Sequence, residues 1–136
     1  MRRTIKINNE VLKQMKKIYY PKGCYYIDWM GFKVTEDNKP SYHHIEKAED
    51  LRKKKESDIA TVENGAYLGK KSHELLHKIE VIDKDLYDSW NYIFSVINRM
   101  RTYPIDDVWN MVFDLQEKSV KLIEKSFKTK KLWYNQ

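Results

Sequence analysis

The chain has 136 residues, 41% of them hydrophobic and 34% charged, with ten Tyr, four Trp and four Phe; this is the composition of an ordered domain able to build one core. A formal charge of +6 and a pI near 9.2 favour anionic partners, nucleic acid first among them. The single cysteine, Cys24, excludes an internal disulfide and a cysteine-based zinc cluster and fits a reducing, cytoplasmic compartment, and no segment approaches the roughly 18 apolar residues of a membrane span.

In chain order, Asn8 or Asn9 and Glu10 open a first predicted helix with Val11, Leu12, Met15, Ile18 and Tyr19 at helical spacing, and Pro21-Lys22-Gly23 ends it. The aromatic and β-branched run from Cys24 to Val34 is predicted as a strand. A turn at Glu36 to Pro40 joins it to a second short strand through Tyr42 and Ile45, making a hairpin. Residues 46–58 hold only Ala48 and Leu51 as apolar side chains and are expected to form a solvated loop or frayed helix. Asn64-Gly65 marks a tight turn, Ala66-Tyr67-Leu68 an extended piece, and Gly69 the entry to a helix from about Lys70 to Ile82.

Leu86, Trp90, Ile93, Phe94, Ile97 and Met100 recur at spacings of three and four, which predicts an amphipathic helix over Asp85 to Arg101. After Pro104, Asp106 and Asp107 are placed to cap a last helix reaching about Lys128, followed by the basic and aromatic tail KTKKLWYNQ. The expected architecture is a single α+β domain over residues 1–136.

All four histidines fall between positions 43 and 77. Neutral imidazole is the commonest side-chain metal ligand, and its pKa also suits proton transfer near neutrality, so the grouping suggests a metal site with a built-in base. His73 and His77, four apart on a helix, can turn two ring nitrogens toward one ion. His43 and His44 are neighbours on a strand and point to opposite faces, so one of them can bind while the other stays free.

The stretch from about Cys24 to Glu80 resembles the HNH, or His-Me finger, endonucleases, whose core is a β-hairpin followed by a metal-bearing helix. The resemblance rests on His43-His44 at the end of the first strand, Asn64 in the following loop, and the helix His73-Glu74-Leu75-Leu76-His77. It implies a ββα-metal core over about 24–82, with an N-terminal helix before it and a helical pair over about 85–128 after it. It implies that His43, His73 and His77 hold one divalent cation (Mg, Mn, Zn or Ni). His44 would then be the general base for hydrolysis of a DNA phosphodiester, and Asn64 would brace the loop that orients it. Two features depart from the family. The paired cysteines of many members are absent, with Gly69-Lys70-Lys71-Ser72 in place of one pair, and a lysine-rich insert replaces a glycine pair.

Arg52, Lys53, Lys54, Lys55, Lys70 and Lys71 are the expected contacts to the nucleic-acid backbone, with Lys118, Lys121, Lys125, Lys128, Lys130 and Lys131 behind them and Trp133 or Tyr134 stacking on an unpaired base. No membrane association is expected; a homodimer or a partner protein stays open. Two other functions fit the same residues. One is a noncatalytic HNH-like protein that binds DNA or inhibits a nuclease. The other is a zinc protease using His73-Glu74-x-x-His77 with a downstream ligand among Glu80, Asp83, Asp85, Asp88 and Asp107.

Overall fold

A computed structural model describes residues 3–45 and 61–134, with side chains over 6–45 and 61–126. Among the described residues, four α-helices and one two-stranded antiparallel sheet form an α+β fold: α1 (Arg3–Tyr19), β1 (Pro40–His44), β2 (Gly65–Gly69), α2 (Lys70–Ile82), α3 (Lys84–Met100) and α4 (Asp106–Tyr134). A 3-10 turn, Val62–Asn64, leads into β2 where the sequence predicts a tight turn at Asn64-Gly65.

Helix α1 buries Val11, Leu12, Met15 and Tyr19 and leaves Lys13, Lys16 and Lys17 exposed, as its 3.6-residue pattern requires. It begins at Arg3 and not at the expected Asn8 or Asn9 boundary, because Ile7 continues the apolar stripe and packs against the core. It stops at Tyr19, two residues before Pro21.

The run from Cys24 to Val34 is not the expected strand. Only an isolated bridge, Ile27 to Lys33, interrupts its irregular path, and the expected hairpin with Tyr42 and Ile45 does not form. Asp28 is the reason. Its fully buried carboxylate accepts the amides of Met30 and Phe32 at 3.0 Å each, while its own amide donates to Phe32 O at 2.8 Å. The chain therefore closes into a tight turn, helped by Gly31 at φ 84°, a value that residues with a Cβ rarely adopt.

The partner of β1 is β2, in a register that pairs Tyr42 with Tyr67, His43 with Ala66 and His44 with Gly65. Both faces of this small sheet are covered. Met15 of α1 lies against the Gly65 end of the Tyr42 face, and Tyr87 and Phe94 of α3 approach His43 on the other. All five residues of β2 are buried.

Gly69 links β2 to α2 and is clamped from two sides. Its amide donates to Asp28 Oδ2 at 2.8 Å, and a Cβ at this position would lie 2.1 Å from Asn38 Oδ1. Asn38 in turn accepts the Lys71 amide at 2.9 Å and donates to Lys33 O at 2.8 Å, and the Lys70 amide donates to Lys39 O at 2.7 Å. The amides of Gly69, Lys70 and Lys71 at the start of α2 are thus satisfied, although Gly69 has no side chain to cap the helix.

Helix α3 starts at the Asp83 cap, whose carboxylate accepts the Leu86 amide, and ends at Arg101 in the left-handed region. Trp90, Ile93, Phe94 and Ile97 of its predicted stripe are buried. Helix α4 packs Val108, Trp109 and Val112 into the same core, and Ser119 accepts the Trp90 indole N–H at 2.9 Å. It extends to Tyr134, beyond the expected end near Lys128. Among the described residues no helix is long and apolar enough to cross a membrane.

Burial pushes the Asp28 carboxyl above the ordinary carboxylate range, against the amides of Gly69, Phe32 and Met30 that favour its ionised form. Removing it would strand three amides, two of them in a buried turn. Asp28→Ala is expected to lower the unfolding free energy by about 3 kcal/mol, the scale on which breaking a buried hydrogen-bond network destabilises a domain. Urea denaturation checks this, and a decrease under about 1 kcal/mol would remove Asp28 as the organiser of the loop.

Candidate functional site

Strand alternation puts Ser41 and His43 on one face of β1 and Tyr42 and His44 on the other. The first face meets α2, and there His43 reaches His73. His43 Nδ1 lies 3.3 Å from His73 Nε2, in hydrogen-bonding geometry. The remaining nitrogens of this pair are engaged too: His43 Nε2 contacts Asn91 Oδ1 at 2.8 Å, and His73 Nδ1 contacts Ser41 Oγ at 2.9 Å. Ser41, His73, His43 and Asn91 thereby form one continuous polar chain from the strand edge to α3.

His77 stands one turn after His73, with ring centroids 4.6 Å apart and the planes tilted by 34°. It is 55% exposed and places Nδ1 3.6 Å from Glu80 Oε1. The ring centroids of His43 and His73 are 5.2 Å apart, and those of His43 and His77 6.3 Å. The fold therefore brings His43, His73 and His77 into one cluster.

Nitrogens held at about 2.0 to 2.1 Å around a tetrahedral ion lie about 3.3 Å from one another. The His43 and His73 pair has that separation, 3.3 Å, so donor type and ring spacing fit a divalent cation at two positions. His77 would be the third donor, but its Nδ1 is turned to Glu80. As they stand the donors face one another, and among the described residues no group of three or more His, Cys, Asp or Glu is arranged to hold an ion.

His44 ends β1 on the opposite face, its ring meeting the Tyr42 ring edge-on at 4.8 Å between centroids. It is near enough to the cluster for its charge to disfavour protons on both His43 and His73. Asn64 braces this point through the main chain, its carbonyl accepting the Ile45 amide at 2.9 Å. Lys70 and Lys71 are exposed in the first turn of α2, ahead of His73. Arg52, Lys53, Lys54 and Lys55 lie outside the described residues, as do the side chains of Lys128, Lys130, Lys131, Trp133 and Tyr134. Lys118 and Lys121 are exposed on α4, and Lys121 pairs with Glu117 at 2.8 Å.

Asn91 and Ser41 are not among the residues that the sequence singles out for this site. A sequence signal exists for each. Asn91 falls in register with Tyr87, Phe94 and Asn98 on the inward face of α3, where a polar side chain needs a partner, and Ser41 precedes His43 by one strand period. A groove of about 510 Å³ between α3 and α4 has no histidine in its lining, which includes Asp85, Asp88, Asp114, Tyr92 and Met111. Comparison of the chain with protein-family models, with curated proteins and with solved structures returned no match.

Burial lowers the His43 pKa to about 3, with the neighbouring His73, His77 and His44 adding to the effect and the Asn91 contact opposing it. Burial, then His77 and His44, lowers that of His73 to about 4. Both folded values lie below the ordinary 6.5, so the unfolded chain takes up protons that the folded metal-free protein refuses. The stability from these rings is full above about pH 6.5 and is lost as pH falls toward 4. The urea midpoint of chelated protein is expected to drop steeply over that window, and His73→Gln is expected to flatten the slope. Equal slopes in both proteins would contradict the assignment.

Proposed function

We propose that this protein is a metal-dependent endonuclease that hydrolyses DNA phosphodiesters. The observation that supports this most is the meeting of His43 from β1 with His73 and His77 from α2, in a strand, strand, helix order. His43, His73 and His77 are the residues that would hold one divalent cation, and imidazole donors suit zinc or nickel better than magnesium. When bound, the ion offsets negative charge building on the phosphate and the leaving oxygen.

His44 keeps its ring on the other face of the same strand, outside the proposed ligand set, and accepts the proton of the attacking water. The Asn64 carbonyl holds the backbone just after it through the Ile45 amide. Lys70 and Lys71 present two ammonium groups at the helix end next to the histidines, where they attract and seat the phosphate backbone. The same reading places the protein in the cytoplasm, where a lone thiol such as Cys24 stays reduced.

One observation favours a noncatalytic reading, a binding or inhibitory protein that keeps the histidines as architecture. Every ring nitrogen of His43 and His73 already has a protein partner. The protease reading draws less support, because it gives no role to His43, which the fold packs against His73.

His44→Ala is expected to reduce DNA cleavage at least about 100-fold in Mg²⁺, Mn²⁺, Zn²⁺ or Ni²⁺ while DNA binding is kept, the effect of deleting a general base. Wild-type protein that leaves plasmid DNA intact across those metals would reject the nuclease reading in favour of the noncatalytic one. Lys70→Ser combined with Lys71→Ser is expected to make the slope of log K against log salt shallower by about 1 to 2 units, roughly one for each phosphate that the protein no longer neutralises. An unchanged slope would take the start of α2 out of the DNA interface.

A further inference from the structure

We infer that Asn91 and Ser41 fix the proton positions of the histidine pair, so that binding of a divalent cation reverses the Ser41 to His73 hydrogen bond and leaves the His43 to Asn91 bond unchanged. This rests on the proposed function only in taking a divalent cation as the ligand.

At the inner end of the chain, a carboxamide oxygen accepts and cannot donate, so Asn91 Oδ1 at 2.8 Å requires the proton of His43 to sit on Nε2. His43 is 3% exposed and packed against the rings of Tyr87 and Phe94, which leaves its imidazole neutral with a lone pair on Nδ1. The group facing that lone pair, His73 Nε2 at 3.3 Å, must then be the donor. His73 is left with a lone pair on Nδ1, and the Ser41 hydroxyl at 2.9 Å donates to it. All the hydrogen bonds run one way, from Ser41 through His73 and His43 to Asn91.

In this arrangement His43 already offers an unprotonated Nδ1, whereas His73 holds its proton on the nitrogen that faces the site. To become a ligand, His73 must carry that proton on Nδ1. The Ser41 hydroxyl both donates and accepts through one oxygen, so it can turn in place and receive the new Nδ1–H. The proton count of the pair is unchanged: one proton leaves Nε2 and one is taken up at Nδ1 by exchange with water. Asn91 and Ser41 are therefore positioning residues. Asn91 lies on α3, outside the strand and helix that carry the histidines, and Ser41 supplies the bond that reverses.

Two-bond ¹H–¹⁵N correlation spectra of the full chain labelled at histidine, recorded after chelation and again with zinc, read the tautomers directly. The expected metal-free state has both His43 and His73 protonated on Nε2. With zinc, His43 stays Nε2-protonated and His73 becomes Nδ1-protonated. Asn91→Leu and Ser41→Ala are expected to weaken zinc binding about 10- to 100-fold, the usual effect of removing the partner that orients a ligand, and Ser41→Thr to restore it. A metal-free His43 protonated on Nδ1, a His73 tautomer unmoved by bound zinc, or no zinc binding at all would overturn the inference. Zinc binding with the expected tautomers but without DNA cleavage would uphold it and reject the nuclease reading; cleavage with the opposite tautomers would do the reverse.

Discussion

The junction at Gly69 governs how the rest of the molecule is placed. Asp28 holds its amide, Asn38 fills the volume where a Cβ would stand, and the amides of Lys70 and Lys71 are taken by Lys39 and Asn38. A few residues of the irregular segment before β1 thus fix the direction in which β2 turns into α2. That direction decides which face of the helix meets β1. With it His73 reaches both Ser41 and His43; a modest rotation of α2 would break both contacts of His73 and leave His43 only Asn91.

Covering the sheet on both faces has a chemical consequence. A histidine on a half-solvated strand can shed or take protons with little cost, but His43 sits between α2 and α3 and is almost wholly excluded from water. A buried donor or acceptor left unpaired costs about 1 to 3 kcal/mol, so each of its nitrogens must be matched. Helix α3 meets that demand with two asparagines, two helical turns apart on one face. Asn91 takes His43, and Asn98 donates to Val62 O and Gly65 O at 2.6 and 2.8 Å, with its own main-chain carbonyl accepting the Tyr19 hydroxyl. The same helix face thereby secures the histidine pair and the start of β2.

The two sides of α3 differ in charge and in what they could receive. The groove toward α4 carries Asp85, Asp88 and Asp114, a potential that repels phosphate. Away from that groove, His44, Lys70 and Lys71 reach solvent around the buried histidines. Under the proposed function a phosphate backbone would meet the exposed Lys70 and Lys71 at the start of α2 and not this acidic groove.

Local pattern alone determined the helices and the pairing of His73 with His77; strand alternation left open which of His43 and His44 joins them, and the packing of α2 on β1 decided it. Apolar residues at 3.6-residue spacing specify α1, α3 and α4 because a helix closes its hydrogen bonds within itself, and His73 and His77 share a face by the same geometry. Strand pairing is a nonlocal choice, and there the sequence misleads: the β-rich run from Cys24 to Val34 has the composition of a partner for β1, but the buried Asp28 draws its amides into a turn and leaves that place to residues 65–69. The partners of the histidines are equally hidden. Asn91 lies 48 residues from His43 and Ser41 lies 32 from His73, so only the packing of α3 and α2 on β1 could turn four separate polar residues into one directed chain.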